Sequence, residues 1–176
     1  MPVLQGHKVS LRALEPTDID LLFEWENNTE VWKISNTITP FSRFTLEQYI
    51  TSNHDIFAHK QLRLVICIQD QAIGCVDLFD FDPINHRVGI GILIADEEQR
   101  QKGFAADALN CLLDYCREYL DCHQVYCNIM EENKASVYLF EKAGFVLAGT
   151  KKDWVRQGDT YVNELLYQKI LGLEEN

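Results

Sequence analysis

Val9, Leu11 and Ala13 alternate with polar residues over 8–14, the period of a half-buried strand. Pro16-Thr17-Asp18 then opens a helix with Ile19, Leu22, Phe23 and Trp25 on its apolar side. The polar, proline-bearing stretch 27–44 reads as a loop with a short helical turn, and 45–57 as a second helix capped by Thr45. Three strands follow at 63–70, 72–81 and 87–96, turning at Gln71 and over 82–86, most simply as an antiparallel meander. The last of them is apolar at nearly every position, as a strand buried on both faces must be. Gly89 and Gly91 inside it predict a bulge, or a place where another backbone or a ligand comes close.

Ala105, Ala108, Leu109, Leu112, Leu113, Cys116 and Leu120 recur at three- and four-residue spacing, which predicts a helix over 104–120. A strand at 124–130, a helix at 133–144 stopped by Gly144, and a hairpin over 145–171 turning near 157–159 complete the pattern. The order β α α β β β α β α β β predicts an α/β (α+β) domain with a mixed sheet.

The chain has 176 residues, enough for one domain spanning 1–176 with a core of its own. No apolar run approaches the roughly 18–20 residues that span a bilayer, and the first residues lack a secretory apolar segment, so no membrane is expected and the cytoplasm is the expected location. The six cysteines form no CxxC pair. Cys122, His123 and Cys127 match no common zinc spacing, so no metal is expected and reduced, apolar cysteines are. A net charge of −11 argues against nucleic acid. It suits a cationic substrate, and equally a surface that is merely kept soluble.

One basic turn stands out in this acidic chain. Arg100, Gln101, Lys102 and Gly103 lead directly into the 104–120 helix. The first amides of a helix lack intrahelical partners, and a glycine lets a ligand approach the backbone closely. A diphosphate fits this turn, and so does a plain strand-to-helix connection with solvated cations. No Walker A or GxGxxG pattern is present.

Arg100-x-x-Gly103-x-Ala105 resembles the acyl-CoA signature [Gln/Arg]-x-x-Gly-x-[Gly/Ala] of the GCN5-related N-acetyltransferases, the GNAT superfamily. About thirty residues on, Asn133, Ser136, Leu139, Phe140, Lys142, Gly144 and Phe145 are similar, in register, to that family's second motif. Residues 7–28 resemble its opening strand and helix, so the likeness covers nearly the whole chain. It is nearest to the branch with ribosomal-protein alanine/serine and spermidine N-acetyltransferases. The resemblance implies a GNAT fold: a central mixed, mostly antiparallel sheet flanked by about four helices. It implies acetyl transfer from acetyl-CoA to a primary amine by direct attack in a ternary complex. The alternative is a catalytically weak acyl-CoA-binding sensor or scaffold on the same fold. By the same analogy the chain is expected to form a homo-oligomer, a dimer.

Residue by residue, the resemblance implies that the backbone of Ile92, Leu93 and Ile94 pairs with the pantetheine arm. The amides of Arg100, Gln101, Lys102, Gly103, Phe104, Ala105 and Ala106 would hold the pyrophosphate. Asn133 would bond the pantetheine, although Asn133 and Ser136 also read as a helix N-cap, and Ser136, Phe140 and Lys142 of the same motif are further expected cofactor-binding residues. The attacking amine must be neutral, so a base is needed, and a backbone N–H of the 87–96 strand would stabilise the oxyanion.

Two positions depart from the family. Phe140 stands where many members carry a general-acid tyrosine, and Tyr138 lies roughly 200° around the helix from it. Gly89 stands where relatives of the ribosomal-protein branch often carry a glutamate. Asp77 and Asp80, which align with acidic positions of the spermidine branch, are the candidate bases, with His86 a weaker one. Strand alternation predicts Asp80 and Asp82 on one face and Asp77 on the other. Asp82, Glu26 and Glu30 are candidate substrate carboxylates, forming a polyamine site with Asp80 if the first helix packs beside the 72–81 strand. Lys33 and Arg43 occupy a region that is acidic in the spermidine branch, so a protein N-terminus or another small amine is as compatible an acceptor.

Overall fold

The computed structural model describes residues 4–35, 37–52 and 55–172. The chain enters as β1 (Leu4–Gln5), turns at Gly6 and returns as β2 (Ser10–Ala13). A 3-10 turn at Pro16–Asp18 leads into α1 (Ile19–Glu26). Asp18 fixes this entry: both its oxygens bond Arg12, at 2.7 and 2.8 Å, and one accepts from the Glu15 N–H at 2.8 Å. α2 (Thr29–Ser35), α3 (Arg43–Ser52) and α4 (Ile56–His59) follow. Next come β3 (Leu62–Ile68), β4 (Gln71–Asp82), β5 (Arg87–Ile94), α5 (Phe104–Glu118), β6 (Gln124–Met130), α6 (Lys134–Lys142), β7 (Val146–Gln157) and β8 (Thr160–Ile170).

The eight strands of the described residues form one sheet in the order β1-β2-β3-β4-β5-β6-β8-β7. Its one parallel pair is β5–β6, joined by the crossover helix α5; the other neighbours run antiparallel. On one face Leu109 and Leu112 of α5 and Phe140 of α6 pack with Ile66, Val76, Ile90 and Val125. On the other, Leu22, Trp25, Leu46 and Ile50 from α1 and α3 cover Val65, Cys67 and Cys75. Successive strand residues serve the two cores alternately, which is why β3 to β5 read as continuous apolar runs.

The mixed, mostly antiparallel sheet and the α/β class agree with expectation, and the details differ in physical ways. Six α-helices are present among the described residues, where about four were expected. The added two are α2, where a loop with a short helical turn was expected, and α4, which Asp55 caps by accepting from Phe57 and Ala58 N–H at 2.8 and 3.2 Å. α3 begins before Thr45, whose N–H donates to Ser42 Oγ at 3.1 Å, so Thr45 is inside the helix rather than its cap. Residues 53 and 54 of the expected 45–57 helix lie outside the described residues. β1 is an added strand too short for periodicity to reveal.

The expected alternation of Asp77, Asp80 and Asp82 fails. The β4–β5 register shifts between Phe79 and Asp82, and Asp80 takes a positive φ of 50°. The six cysteines are free thiols, five buried and Cys111 half-buried. Burial pushes the Cys75 and Cys127 thiols up to about 12. Among the described residues no helix is long and apolar enough to cross a membrane.

Candidate active site

The parallel ladder between β5 and β6 is short. It pairs Arg87, Val88 and Gly89 with Gln124, Val125 and Tyr126 and goes no further. β5 stays with β4 as far as Ile94, while β6 follows β8 as far as Met130. Beyond the Gly89–Tyr126 pair the sheet therefore opens into a fork. The backbone edge of β5 facing that gap is open to an extended, amide-bearing ligand, which would add to it as a strand does. Ile92, Leu93 and Ile94 lie on this edge and are half-buried, Ile92 and Ile94 toward the α5 core and Leu93 toward the other. Arg100 Nε donates to the Ile94 carbonyl at 3.0 Å and so caps the edge at its open end.

That open end leads to the start of α5. Gln101 and the N-cap Gly103 have positive φ values of 60° and 83°, which only glycine adopts without strain. Helix geometry leaves the Phe104, Ala105 and Ala106 amides without intrahelical acceptors, whereas Asp107 N–H reaches Gly103 O at 3.2 Å. Turns of this kind make an amide concavity suited to an anion. Lys102 Nζ donates to Gln99 Oε1 at 3.1 Å, Arg100 lies 3.5 Å from Glu97, and Lys8 Nζ donates to Lys102 O at 3.2 Å. A diphosphate on a pantetheine arm fits an open strand edge that ends in such a turn.

In the second motif, Asn133 Oδ1 accepts from Ser136 N–H at 3.2 Å and caps α6, leaving the Asn133 amide group to donate elsewhere. Phe140 is 3% exposed, edge-to-face with Phe145 at 5.0 Å. Tyr138, on the far side of the helix, is 66% exposed, with Lys142 Nζ 5.8 Å from its ring.

Across β5 from the α5 side lies a cleft of about 380 Å³ whose lining includes Leu22, Glu26, Phe41, Leu46, Tyr49, Arg63, Asp77 and Phe79. Arg63, on β3, is its hub. Its Nε and Nη2 bond both oxygens of Asp77, at 2.6 and 3.0 Å, and its Nη1 bonds Glu26. Its side chain is only 18% exposed, and its guanidinium lies 5.7 Å from the Tyr49 ring. Burial pushes the Tyr49 phenol up to about 12. Asp77 pairs across the ladder with Gly91, where a Cβ would meet open space. The cleft therefore adjoins the fork through a residue with no side chain.

The structure thus brings Glu26 and Asp77 together and leaves the other carboxylates apart. Glu30, on α2, is exposed and paired with Lys33 at 2.7 Å. Asp82 accepts from Ile84 N, Asn85 N and Asn85 Nδ2 at 3.1, 3.0 and 2.7 Å, so it builds the β4–β5 turn. Those bonds, led by the Asn85 side chain, hold its carboxyl below the usual range. Asp80 is exposed near the closed end of the fork, and its charge, after burial, raises the Tyr126 phenol. His86 Nδ1 contacts the Asp121 carbonyl at 2.7 Å, at the start of β5 and away from the opening. Arg63, Tyr49 and Phe79 are not marked in the sequence, because residues from β3, α3 and β4 carry no shared spacing. Lys8 is unmarked for the same reason, though its neighbour Gly6 marks the turn that places it.

The family profile described as Acetyltransferase (GNAT) domain matches residues 8–146. The spermidine N(1)-acetyltransferase of Vibrio cholerae is 32% identical over 143 residues, 81% of either chain. The crystal structure of spermidine N-acetyltransferase from Vibrio cholerae in complex with CoA and spermine superposes with a TM-score of 0.84 at 27% identity, over 93% of this chain and 95% of that one. A dodecameric structure of the Vibrio cholerae enzyme in an intermediate state gives 0.77 at 27% identity, over 93% and 94%.

Proposed function

The chain belongs to the GNAT acetyltransferase family, and we propose that its acceptor is a small polyamine-class amine held in the Glu26–Asp77 cleft. The activity is acetyl transfer from acetyl-CoA to a primary amine. The observation that carries the acceptor reading is Asp77 opposite Gly91. A cationic nitrogen on Asp77 and Glu26 would set a neighbouring amine over the bare stretch of β5, beside the fork. Two carboxylates against the one guanidinium of Arg63 leave the cleft a net negative charge, and Leu22, Phe41 and Leu46 offer apolar wall for methylenes. The resemblance to enzymes named for spermidine supports the same class.

On this reading Ile92 and Leu93 present backbone groups to the pantetheine, with Ile94 and Arg100 at its far end. The amides from Gln101 to Ala106 take the diphosphate, and Asn133 donates from α6. Backbone N–H groups of β5 face the developing oxyanion. The acceptor arrives as an ammonium with a pKa near 10 and must lose a proton before attack. Asp77 has both oxygens on Arg63 and serves in binding. Asp80, exposed on its kink, is our candidate base. The departing thiolate, of pKa about 8.5, needs no strong acid. We further propose a cytoplasmic, self-associating enzyme. Val146, Leu147 and Ile170, exposed apolar residues on the edge hairpin, support self-association.

Thiol release from acetyl-CoA, measured with spermidine, spermine, shorter diamines, amino-acid amides and peptide N-termini, tests the proposal. Turnover is expected with the polyamines, and Glu26→Gln should lower kcat/KM for them about ten-fold. Turnover confined to peptides would overturn the acceptor class. Tight CoA binding without turnover of any amine would favour the binding module instead.

A further inference from the structure

Asp107, in the first turn of α5, is buried, but its carboxylate serves another element. It accepts from the backbone N–H groups of His7, Lys8 and Val9 at 3.1, 2.6 and 2.9 Å. Gly6 comes so close that a Cβ there would lie 2.5 Å from Asp107 Oδ2. The β1–β2 turn is thereby pinned to the start of α5, about a hundred residues away in sequence. The consequence is the position of Lys8. Its ammonium donates to Lys102 O at 3.2 Å and lies 3.0 Å from where a Cβ on Gly103 would stand.

Lys8, Arg100 and Lys102 thus gather around the positive end of a helix, where cations are disfavoured. Arg100 is paired with Glu97 and Asp107 is engaged by the hairpin amides, whereas Lys8 and Lys102 donate to neutral partners, the Lys102 carbonyl and Gln99 Oε1. A chain of net charge −11 has little reason to concentrate cations there unless an anion is to come between them. We propose that Lys8 is a phosphate-binding residue for acetyl-CoA, delivered to the α5 turn by the β1–β2 hairpin. The inference rests on the acetyl-CoA reading of that turn and adds a ligand from the far end of the chain. Bound phosphate takes the ammonium's hydrogen bonds in place of the Lys102 carbonyl, as a charge-assisted contact. The 3′-phosphate and the pyrophosphate share this chemistry.

Calorimetric titration of wild type, Lys8→Met and Lys8→Arg with CoA, 3′-dephospho-CoA and pantetheine tests it. Lys8→Met should bind CoA roughly ten-fold more weakly, and Lys8→Arg within about three-fold of wild type. Pantetheine, which has neither phosphate group, should bind both variants as it binds wild type. A loss against CoA alone assigns Lys8 to the 3′-phosphate; a loss against CoA and dephospho-CoA assigns it to the pyrophosphate. Wild-type affinity of Lys8→Met for CoA overturns the proposal, and so does an equal loss against pantetheine. Failure of the wild type itself to bind CoA would instead refute the cofactor reading on which the proposal stands.

Discussion

Phe79 lies across Gly89: a Cβ on Gly89 would stand 2.2 Å from the nearest atom of the Phe79 ring. The two are ladder partners on β4 and β5, and the same ring meets Tyr126 edge-to-face at 5.8 Å. The ring therefore fills the closed end of the fork, at the position where some relatives are expected to carry a glutamate. Gly89→Ala should destabilise the fold by about 1–3 kcal/mol through overpacking. Phe79→Leu should recover part of that loss, giving a coupling of about 1 kcal/mol in a double-mutant cycle read by urea unfolding. Additive effects would mean that the ring moves aside freely. Gly89→Glu should not create a working base, because the Phe79 ring occupies the space its side chain needs.

Arg63 divides its guanidinium between Asp77 and Glu26. Arg63→Met should cost about 2–3 kcal/mol, at or below the range for breaking a buried pair because these carboxylates keep some contact with solvent. It should also raise the negative charge of the cleft. If polyamines bind there, the variant's KM for spermine should fall relative to its KM for a diamine. An unchanged ratio, in a variant that still unfolds cooperatively, would place the polyamine elsewhere.

The elements with strong periodicity are legible in the sequence itself. The apolar positions of 104–120 return as the buried face of α5, and those of β3 to β5 as the two faces of the central sheet. The α5 turn was legible because its ligands are consecutive backbone amides, so sequence and site coincide there. The acceptor cleft was not, because Glu26, Tyr49, Arg63 and Asp77 come from four elements and meet only through packing. Alternation misled at Asp80 and Asp82, since one bulge shifts the register and nothing in the composition of β4 announces it. The helix of Thr29–Ser35 is legible only as a short turn of unfixed position; only Val31 is buried, so no apolar stripe marks its length.

Phe140 occupies the place of an expected tyrosine, and its ring is packed edge-to-face on Phe145. A hydroxyl added to so buried a ring costs about 1–3 kcal/mol if it finds no partner. Phe140→Tyr should therefore report on its surroundings. If α6 borders the thioester site, the variant keeps wild-type stability and its kcat equals or exceeds that of wild type. Thermal unfolding and thiol release measured side by side check this. A loss of stability together with a loss of turnover would make Phe140 a packing residue and remove it from the cofactor face.

Asp107 and Asp18 give the fold a calculable response to acid. Burial opposes the charge of both. At Asp107 it is outweighed by the N–H groups of Lys8, Val9 and His7, and at Asp18 by Arg12 and the Glu15 N–H, so each carboxyl titrates below the usual range. A depressed folded-state pKa adds stability above the unfolded value, about 3.9, and that contribution is lost as pH falls through the folded value. Asp107→Asn should cost about 1–2 kcal/mol at pH 6, because an amide oxygen bonds three backbone donors less well than a carboxylate does. The deficit should shrink as pH falls below about 4, where wild type loses the same contribution. A residual acid slope should remain in the variant, from Asp18. Urea midpoints from pH 3 to pH 7 measure both slopes, and a deficit that stays constant with pH would show that the Asp107 charge does not hold the hairpin.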